Sequence, residues 1–265
     1  MSFDARPGVH VARRRFGQNF LASAGIVSRI VAAIRPQAGE NMVEIGPGLG
    51  ALTKPLLEHL GHLHVIEIDR DLIARLRECH DPGCLAIHEG DALKFDFGAL
   101  CTEEKASLRV VGNLPYNIST PLLFHLCDFM PRLRDGHFML QKEVVARMVA
   151  VPDTAEYGRL SVMLQYRFQM ERLFDVPPGA FRPAPKVTSS VVRMIPLPAG
   201  TYDVHDETRF SRIVAAAFAQ RRKTLRNTLR DFLDETGLKA LGLDPGLRGE
   251  RLSVADFVAI ANACQ

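Results

Sequence analysis

Asn113-Leu114-Pro115-Tyr116 is the stretch of this sequence whose residue types best suit a chemical step. The Asn113 side-chain oxygen and the Leu114 carbonyl are two hydrogen-bond acceptors on adjacent residues. The exocyclic amine of a base such as adenine is a poor nucleophile, because its lone pair is conjugated with the ring. Two acceptors on its N–H groups would aim that lone pair at an electrophilic methyl group and stabilise the positive charge growing on nitrogen. Pro115 has no N–H and a fixed φ, which helps aim the Leu114 carbonyl. Tyr116 offers a ring on which a flipped base can stack, worth roughly 1–3 kcal/mol. No strong base is needed, since the proton can leave once the nitrogen is cationic. Alone, the tetrapeptide reads more readily as a turn with a core tyrosine, so its neighbours must decide.

A second constellation lies upstream. Gly46-Pro47-Gly48-Leu49-Gly50 follows an apolar run and precedes a helical pattern, so its backbone can approach a nucleotide closely. Glu67 sits at the end of the next predicted strand, where a carboxylate can accept both ribose hydroxyls of an adenosine cofactor. Asp91, at the end of the third, suits the adenine amino group. A dinucleotide site wants Gly-x-Gly-x-x-Gly, because a pyrophosphate rests on the helix N-terminus. The spacing here is Gly-x-Gly-x-Gly. It favours S-adenosylmethionine over nicotinamide without deciding between them.

The elements that must position these groups follow from hydrophobic periodicity. Ile26 to Ile34, Leu52 to Leu60, Asp71 to Glu78 and Pro121 to Phe129 read as helices. Between them, 41–45, 64–68, 84–88, 108–112 and 137–140 read as strands. Alternation at this spacing implies βαβ units and a parallel sheet covered on both faces, with Asn113 at a strand end, where ligands gather. Two late strands, 168–176 and 189–195, flank a Pro-rich loop at 177–185. Beyond the Pro/Gly stretch 196–200 the pattern is helical. The expected fold class is therefore α/β, with a Rossmann-like sheet in residues 1–197 and a small all-helical domain in residues 198–265.

Composition narrows the partners. Charged residues at 24% and hydrophobic residues at 47% are ordinary for a globular protein. No apolar run can span a bilayer, and the polar, basic N-terminus lacks a secretory signal's apolar core. The 5 cysteines are scattered and form no Cys-x-x-Cys pair, as expected in a reducing cytoplasm. His59, His62 and His64 sit at a helix end and a strand start with no fourth ligand nearby, so no metal is expected. The net charge is only +3, yet Arg209, Arg212, Arg221, Arg222, Lys223, Arg226 and Arg230 occur in a stretch free of acids. Arg13, Arg14 and Arg15 form a second cluster. A polyanionic partner fits both, with phosphate contacts expected from the basic helical segment carrying Arg221, Arg222, Lys223 and Arg226.

Five segments in order, 15–21, 44–50, 113–119, 141–144 and 181–187, closely resemble the ribosomal RNA adenine N6-dimethyltransferases, and most of all their bacterial small-subunit branch linked to kasugamycin sensitivity. The resemblance implies S-adenosylmethionine as cofactor, contacted by Asn19, Leu21, Gly46, Glu67, Asp91 and Asn113. It implies that Tyr116 and Phe181 sandwich the target adenine. An aromatic in a Pro-rich loop also reads locally as poorly placed for a core. The implied reaction is dimethylation of two adjacent adenosines in the loop of the 3′-terminal hairpin of 16S rRNA. The substrate would be an immature small ribosomal subunit, and the enzyme a cytoplasmic monomer. Two other readings stay open: a 23S rRNA adenine methyltransferase of the macrolide-resistance type, and a non-catalytic ribosome-assembly factor that binds RNA. Asn117-Ile118-Ser119-Thr120-Pro121 and the basic tail favour the small-subunit enzyme over the first. Intact Glu67, Asp91 and Asn113 oppose the second.

Overall fold

The computed structural model describes residues 18–101, 107–220 and 222–264, and Arg221 and the N-terminal arginines lie outside them. In chain order the elements of the α/β part are β1 (Phe20–Leu21), α1 (Ala24–Ile34), β2 (Met42–Ile45), α2 (Thr53–Leu60), β3 (Leu63–Glu67), α3 (Arg70–Cys79), β4 (Leu85–Glu89), β5 (Leu108–Asn113), α4 (Ser119–Cys127) and β6 (Leu133–Gln141). There follow α5 (Lys142–Met148), α6 (Arg159–Gln165), β7 (Phe168–Val176), β8 (Phe181–Arg182) and β9 (Ser189–Pro196). The tail carries α7 (Glu207–Ala219), α8 (Leu225–Thr228), α9 (Glu235–Ala240) and α10 (Val254–Ala263).

The main sheet has seven strands in the order β4-β3-β2-β5-β6-β9-β7. From β4 to β6 all pairings are parallel, and β9 returns antiparallel to β6. Every residue of β2 is buried, as are five of the six in β5, which is how central strands covered on both faces read. The order steps outward in one direction from β2 to β4 and in the other from β2 to β5 and β6. That reversal at β2 opens a crevice at the carboxyl ends of the strands. Asp69 caps α3 by accepting from the Asp71 N–H at 3.2 Å, which starts the helix right after Glu67.

Two compact units divide the chain. One holds residues 1–145 and 171–196, the other 146–170 and 197–265. The segment 146–170, which sequence patterning places with the sheet, belongs to the helical unit. There the Tyr157 hydroxyl donates to the Leu252 carbonyl at 2.9 Å, and Val162 joins Phe210, Val214, Phe257 and Ile260 in one core. α10 opens on a capping box, with Ser253 Oγ accepting from the Asp256 N–H at 3.2 Å.

The expected basic helix is not continuous. α7 stops at Ala219, Arg222 and Lys223 lie in the following turn, and α8 is four residues long. Leu225 and Leu229 do face a core. However, the Leu225 and Arg226 N–H groups donate to the Leu247 and Pro245 carbonyls instead of extending a helix. Among the described residues no helix is long and apolar enough to cross a membrane, and no group of three or more His, Cys, Asp or Glu side chains is placed to hold a metal ion. His64 of the histidine cluster instead meets His88, Nδ1 to Nε2, at 3.1 Å.

Candidate active site

One cavity collects nearly every side chain expected to do chemistry. Residues 18–21, 44–49, 66–68, 90–93 and 113–118 line it, at the carboxyl ends of β2 to β5. The glycine loop between β2 and α2 forms its floor. Gly48 has φ +59°, a left-handed conformation that glycine adopts without strain, and a Cβ there would stand 3.0 Å from the Phe20 ring. The loop backbone and the N-terminal segment therefore pack in direct contact, with no space for a side chain between them.

Glu67 ends β3 with 6% exposure. One carboxylate oxygen accepts from the Ile68 and Asp69 N–H groups, both at 2.9 Å, and the other sits 3.4 Å from the Gly48 N–H. Burial raises its pKa, against the pull of these backbone donors. Asp91 follows β4 and accepts from the Leu93 N–H at 3.0 Å, which orients its carboxylate at the cavity wall. Gly46 donates to the Ile66 carbonyl at 2.9 Å, tying the loop to β3.

Among the lining residues to which the sequence assigned no role, three fasten the site. Glu44 is 2% exposed and its carboxylate accepts from the Thr53 hydroxyl at 2.6 Å. Burial and then the nearby Glu67 charge push its pKa up to about 7, against the Thr53 bond. Its position, two residues before Gly46, was the available signal. Gln18 donates to Asp69 at 3.0 Å, so the N-terminal segment is fastened beside Glu67. Phe20 packs on the glycine loop as described.

Asn113 ends β5, and its side-chain N–H donates to the Asn19 carbonyl at 2.9 Å. A carbonyl only accepts, so the bond fixes which end of the amide is nitrogen and leaves the Asn113 oxygen free of that contact. The Leu114 N–H donates to the Met139 carbonyl, and the Ile118 N–H closes a turn on the Pro115 carbonyl. Gly112, one residue earlier, has no space for a Cβ, which would stand 2.6 Å from the Ile45 carbonyl oxygen. Tyr116 is half-buried, with its hydroxyl 2.8 Å from Ser189 Oγ.

Asn19, Leu21, Gly46, Glu67, Asp91, Asn113, Leu114 and Tyr116 are thus brought together around one cavity. Phe181 is not among its lining residues. The segment expected to be a loop contains β8, which pairs antiparallel with β1 and sets Phe181 opposite Leu21. Phe181 is 1% exposed and packs with Leu21, Ala180 and Val191, so the notion that this aromatic is poorly placed for a core is corrected. Arg222, Lys223 and Arg226 are exposed and belong to the helical unit; Arg221 lies outside the described residues.

The donor set fits S-adenosylmethionine: a glycine-rich loop with Gly48 in a left-handed conformation, a carboxylate at the end of β3, a second after β4, and a Gly-x-Gly-x-Gly spacing without the third glycine position of a pyrophosphate site. Together with the parallel sheet order, this site defines a Rossmann-like S-adenosylmethionine-dependent methyltransferase. Comparison with known proteins narrows the class: residues 9–265 match the family described as ribosomal RNA adenine dimethylase, and the chain belongs to that family. It is 71% identical to the ribosomal RNA small subunit methyltransferase A of Aromatoleum aromaticum, over 96% of this chain and 94% of that one. The protein of the same description from Thiobacillus denitrificans is 66% identical over 95% and 97%. Among solved structures, a dimethyladenosine transferase from Plasmodium falciparum superposes with a TM-score of 0.77 at 25% identity, covering 91% of this chain and 95% of that one. The 23S rRNA methyltransferase ErmE shares the fold, with a TM-score of 0.71 at 22% identity and coverage of 93% and 99%.

Proposed function

We propose that this protein dimethylates N6 of two adjacent adenosines in the loop of the 3′-terminal hairpin of 16S rRNA, acting as a cytoplasmic monomer on immature small ribosomal subunits. The observation that carries the chemistry is the Asn113 amide, whose N–H is held by the Asn19 carbonyl. Its oxygen is thereby assigned to accept an N6–H. The Leu114 carbonyl takes the second N6–H, and the two together aim the nitrogen lone pair and bear part of its developing charge. S-adenosylmethionine supplies, when bound, an electrophilic methyl group on a sulfonium. Glu67 holds the ribose hydroxyls, Asp91 the adenine amine, and Asn19, Leu21 and Gly46 the remaining surface of that cofactor. Tyr116 stacks on the target base. The exposed cations Arg222, Lys223 and Arg226, with Arg221, contact rRNA phosphates.

Identities of 71% and 66% to small-subunit enzymes support the small-subunit substrate, whereas the likeness to the 23S enzyme is one of fold. The deciding experiment supplies immature small subunits, mature small subunits and large subunits with methyl-labelled cofactor, and maps the product RNA by mass. Two dimethyladenosines in the 3′-terminal hairpin of immature small subunits are expected. Label confined to large-subunit RNA would overturn the assignment.

A further inference from the structure

The Tyr116 hydroxyl ends 2.8 Å from Ser189 Oγ. Ser189 is the first residue of β9 and is 1% exposed, so it cannot touch RNA itself. Its end of the strand is clamped from several sides. Ser189 stands opposite Gln141 in the β6–β9 ladder, and the Lys142 N–H donates to the Thr188 carbonyl at 3.0 Å. Next along the strand, Ser190 Oγ donates to Asp175 at 2.6 Å, and the same carboxylate takes Lys142 Nζ at 2.9 Å and Arg172. These donors hold the Asp175 carboxyl well below the usual carboxylate range, so the clamp stays ionised across working pH.

Tyr116 is more exposed than its partner. It is half-buried, lines the cavity, and follows Pro115 in a turn closed by the Ile118 N–H and by Ser119 Oγ, which donates to the Tyr116 carbonyl at 3.1 Å. Its hydroxyl lies on the long axis of the ring. Holding that atom therefore fixes where the ring sits, while rotation about the axis is left to packing.

We propose that Ser189 is a positioning residue for methyl transfer: through its hydrogen bond to the Tyr116 hydroxyl it sets the place of the ring on which the target adenine stacks. The inference rests on the stacking role proposed for Tyr116. A ring displaced by a fraction of an ångström still stacks on a base, but it presents N6 off line to the methyl group. The cost falls on turnover and spares binding.

The test measures methylation kinetics on small ribosomal subunits and S-adenosylhomocysteine affinity by calorimetry. The proteins are wild type, Ser189→Ala, Tyr116→Phe, the double variant and Tyr116→Ala. Ser189→Ala and Tyr116→Phe are each expected to lower kcat about tenfold, the factor one ordinary hydrogen bond can supply. KM for subunits and cofactor affinity stay at the wild-type values, and the double variant is no slower than either single one. Losses that multiply in the double variant overturn the inference, as does a Ser189→Ala effect confined to cofactor affinity. Should Ser189→Ala fail to fold, Tyr116→Phe decides, since an undiminished kcat there sinks the proposal. If Tyr116→Ala turns over like wild type, the stacking reading itself is lost. If Tyr116→Ala is inactive while Tyr116→Phe and Ser189→Ala are unimpaired, only the role of Ser189 is lost.

Discussion

The side-chain amide of Asn113 donates to the main-chain carbonyl of Asn19 across 2.9 Å, joining positions 94 residues apart in the sequence. The N-terminal segment that lines the cavity is thus fastened to the residue proposed to bind the target amine. The residue just before Asn19, Gln18, donates to Asp69 beside Glu67. One short stretch of chain therefore ties together the carboxyl ends of β3 and β5.

Asn113→Ala removes an acceptor from the transition state and should cost about 100-fold in kcat, the scale of losing one preorganised polar contact. Asn113→Asp should be no better, because a carboxylate cannot donate to the Asn19 carbonyl. RNA affinity should be retained in both. Single-turnover methyl transfer with saturating cofactor and subunits checks this, and wild-type turnover in Asn113→Ala would refute the role given to the amide.

Gly48→Ala separates strain from site chemistry. The residue has φ +59°, and the new Cβ would press on the Phe20 ring at 3.0 Å. A fall of about 1–2 kcal/mol in stability is expected from the left-handed backbone and the contact. A loss of about tenfold or more in S-adenosylhomocysteine affinity should accompany it, since Phe20 and Gly48 both line the cavity. Gly39→Ala is the control. It too has positive φ, at +79°, but nothing lies within 4 Å of its Cβ, so it should lose stability and keep cofactor affinity. Equal affinity losses in the two variants would show that the Phe20 contact is not what matters.

The sheet and the strand-end carboxylates that line the cavity were legible because local patterning encodes them. Short, mostly apolar runs mark β2 and β5 despite Glu44 and Arg109 within them, and a carboxylate at a strand end is visible from spacing alone. What stayed hidden is tertiary. β1 and β8 are two residues each, too short to show a period, yet their pairing buries Phe181. The Thr53–Glu44 and Gln18–Asp69 bonds join side chains whose proximity no period announces. Leu225 and Leu229 keep a helical spacing although α8 is short, because loop carbonyls at Pro245 and Leu247 take the backbone donors. Likewise an apolar face at 157–164 does not reveal which of two cores it joins.

Glu44 should impose a pH dependence on stability. Its folded pKa of about 7 stands above the ordinary 4.5, so between these values the folded state keeps a proton that the unfolded chain has lost. Stability therefore falls as pH rises through that window, by roughly 3 kcal/mol for this group alone. Glu44→Gln is neutral throughout and retains an acceptor for the Thr53 hydroxyl. Without cofactor, the variant should melt several degrees above wild type at pH 8, and the gap should close toward pH 5. A gap that is the same at both pH values would mean that Glu44 does not titrate in this range.

Arg222, Lys223 and Arg226 changed together to Ala should weaken RNA binding mainly through its salt dependence. All three are exposed, whereas Leu225 between them is fully buried and anchors the turn. Arg226 lies 3.8 Å from Glu235, but both side chains are about half exposed, so the pair is weak and leaves the guanidinium available to a phosphate. Each phosphate contact contributes about 0.7–0.9 to the slope of log affinity against log salt, so the triple variant should flatten that slope by about 2–3 units. Intrinsic methyl transfer should survive at saturating subunit concentration, because none of the three residues lines the cavity. Arg226→Ala alone should flatten the slope least, since Glu235 already neutralises part of its charge. A triple variant with lower affinity and an unchanged slope would mean that these cations support the local fold and make no phosphate contact.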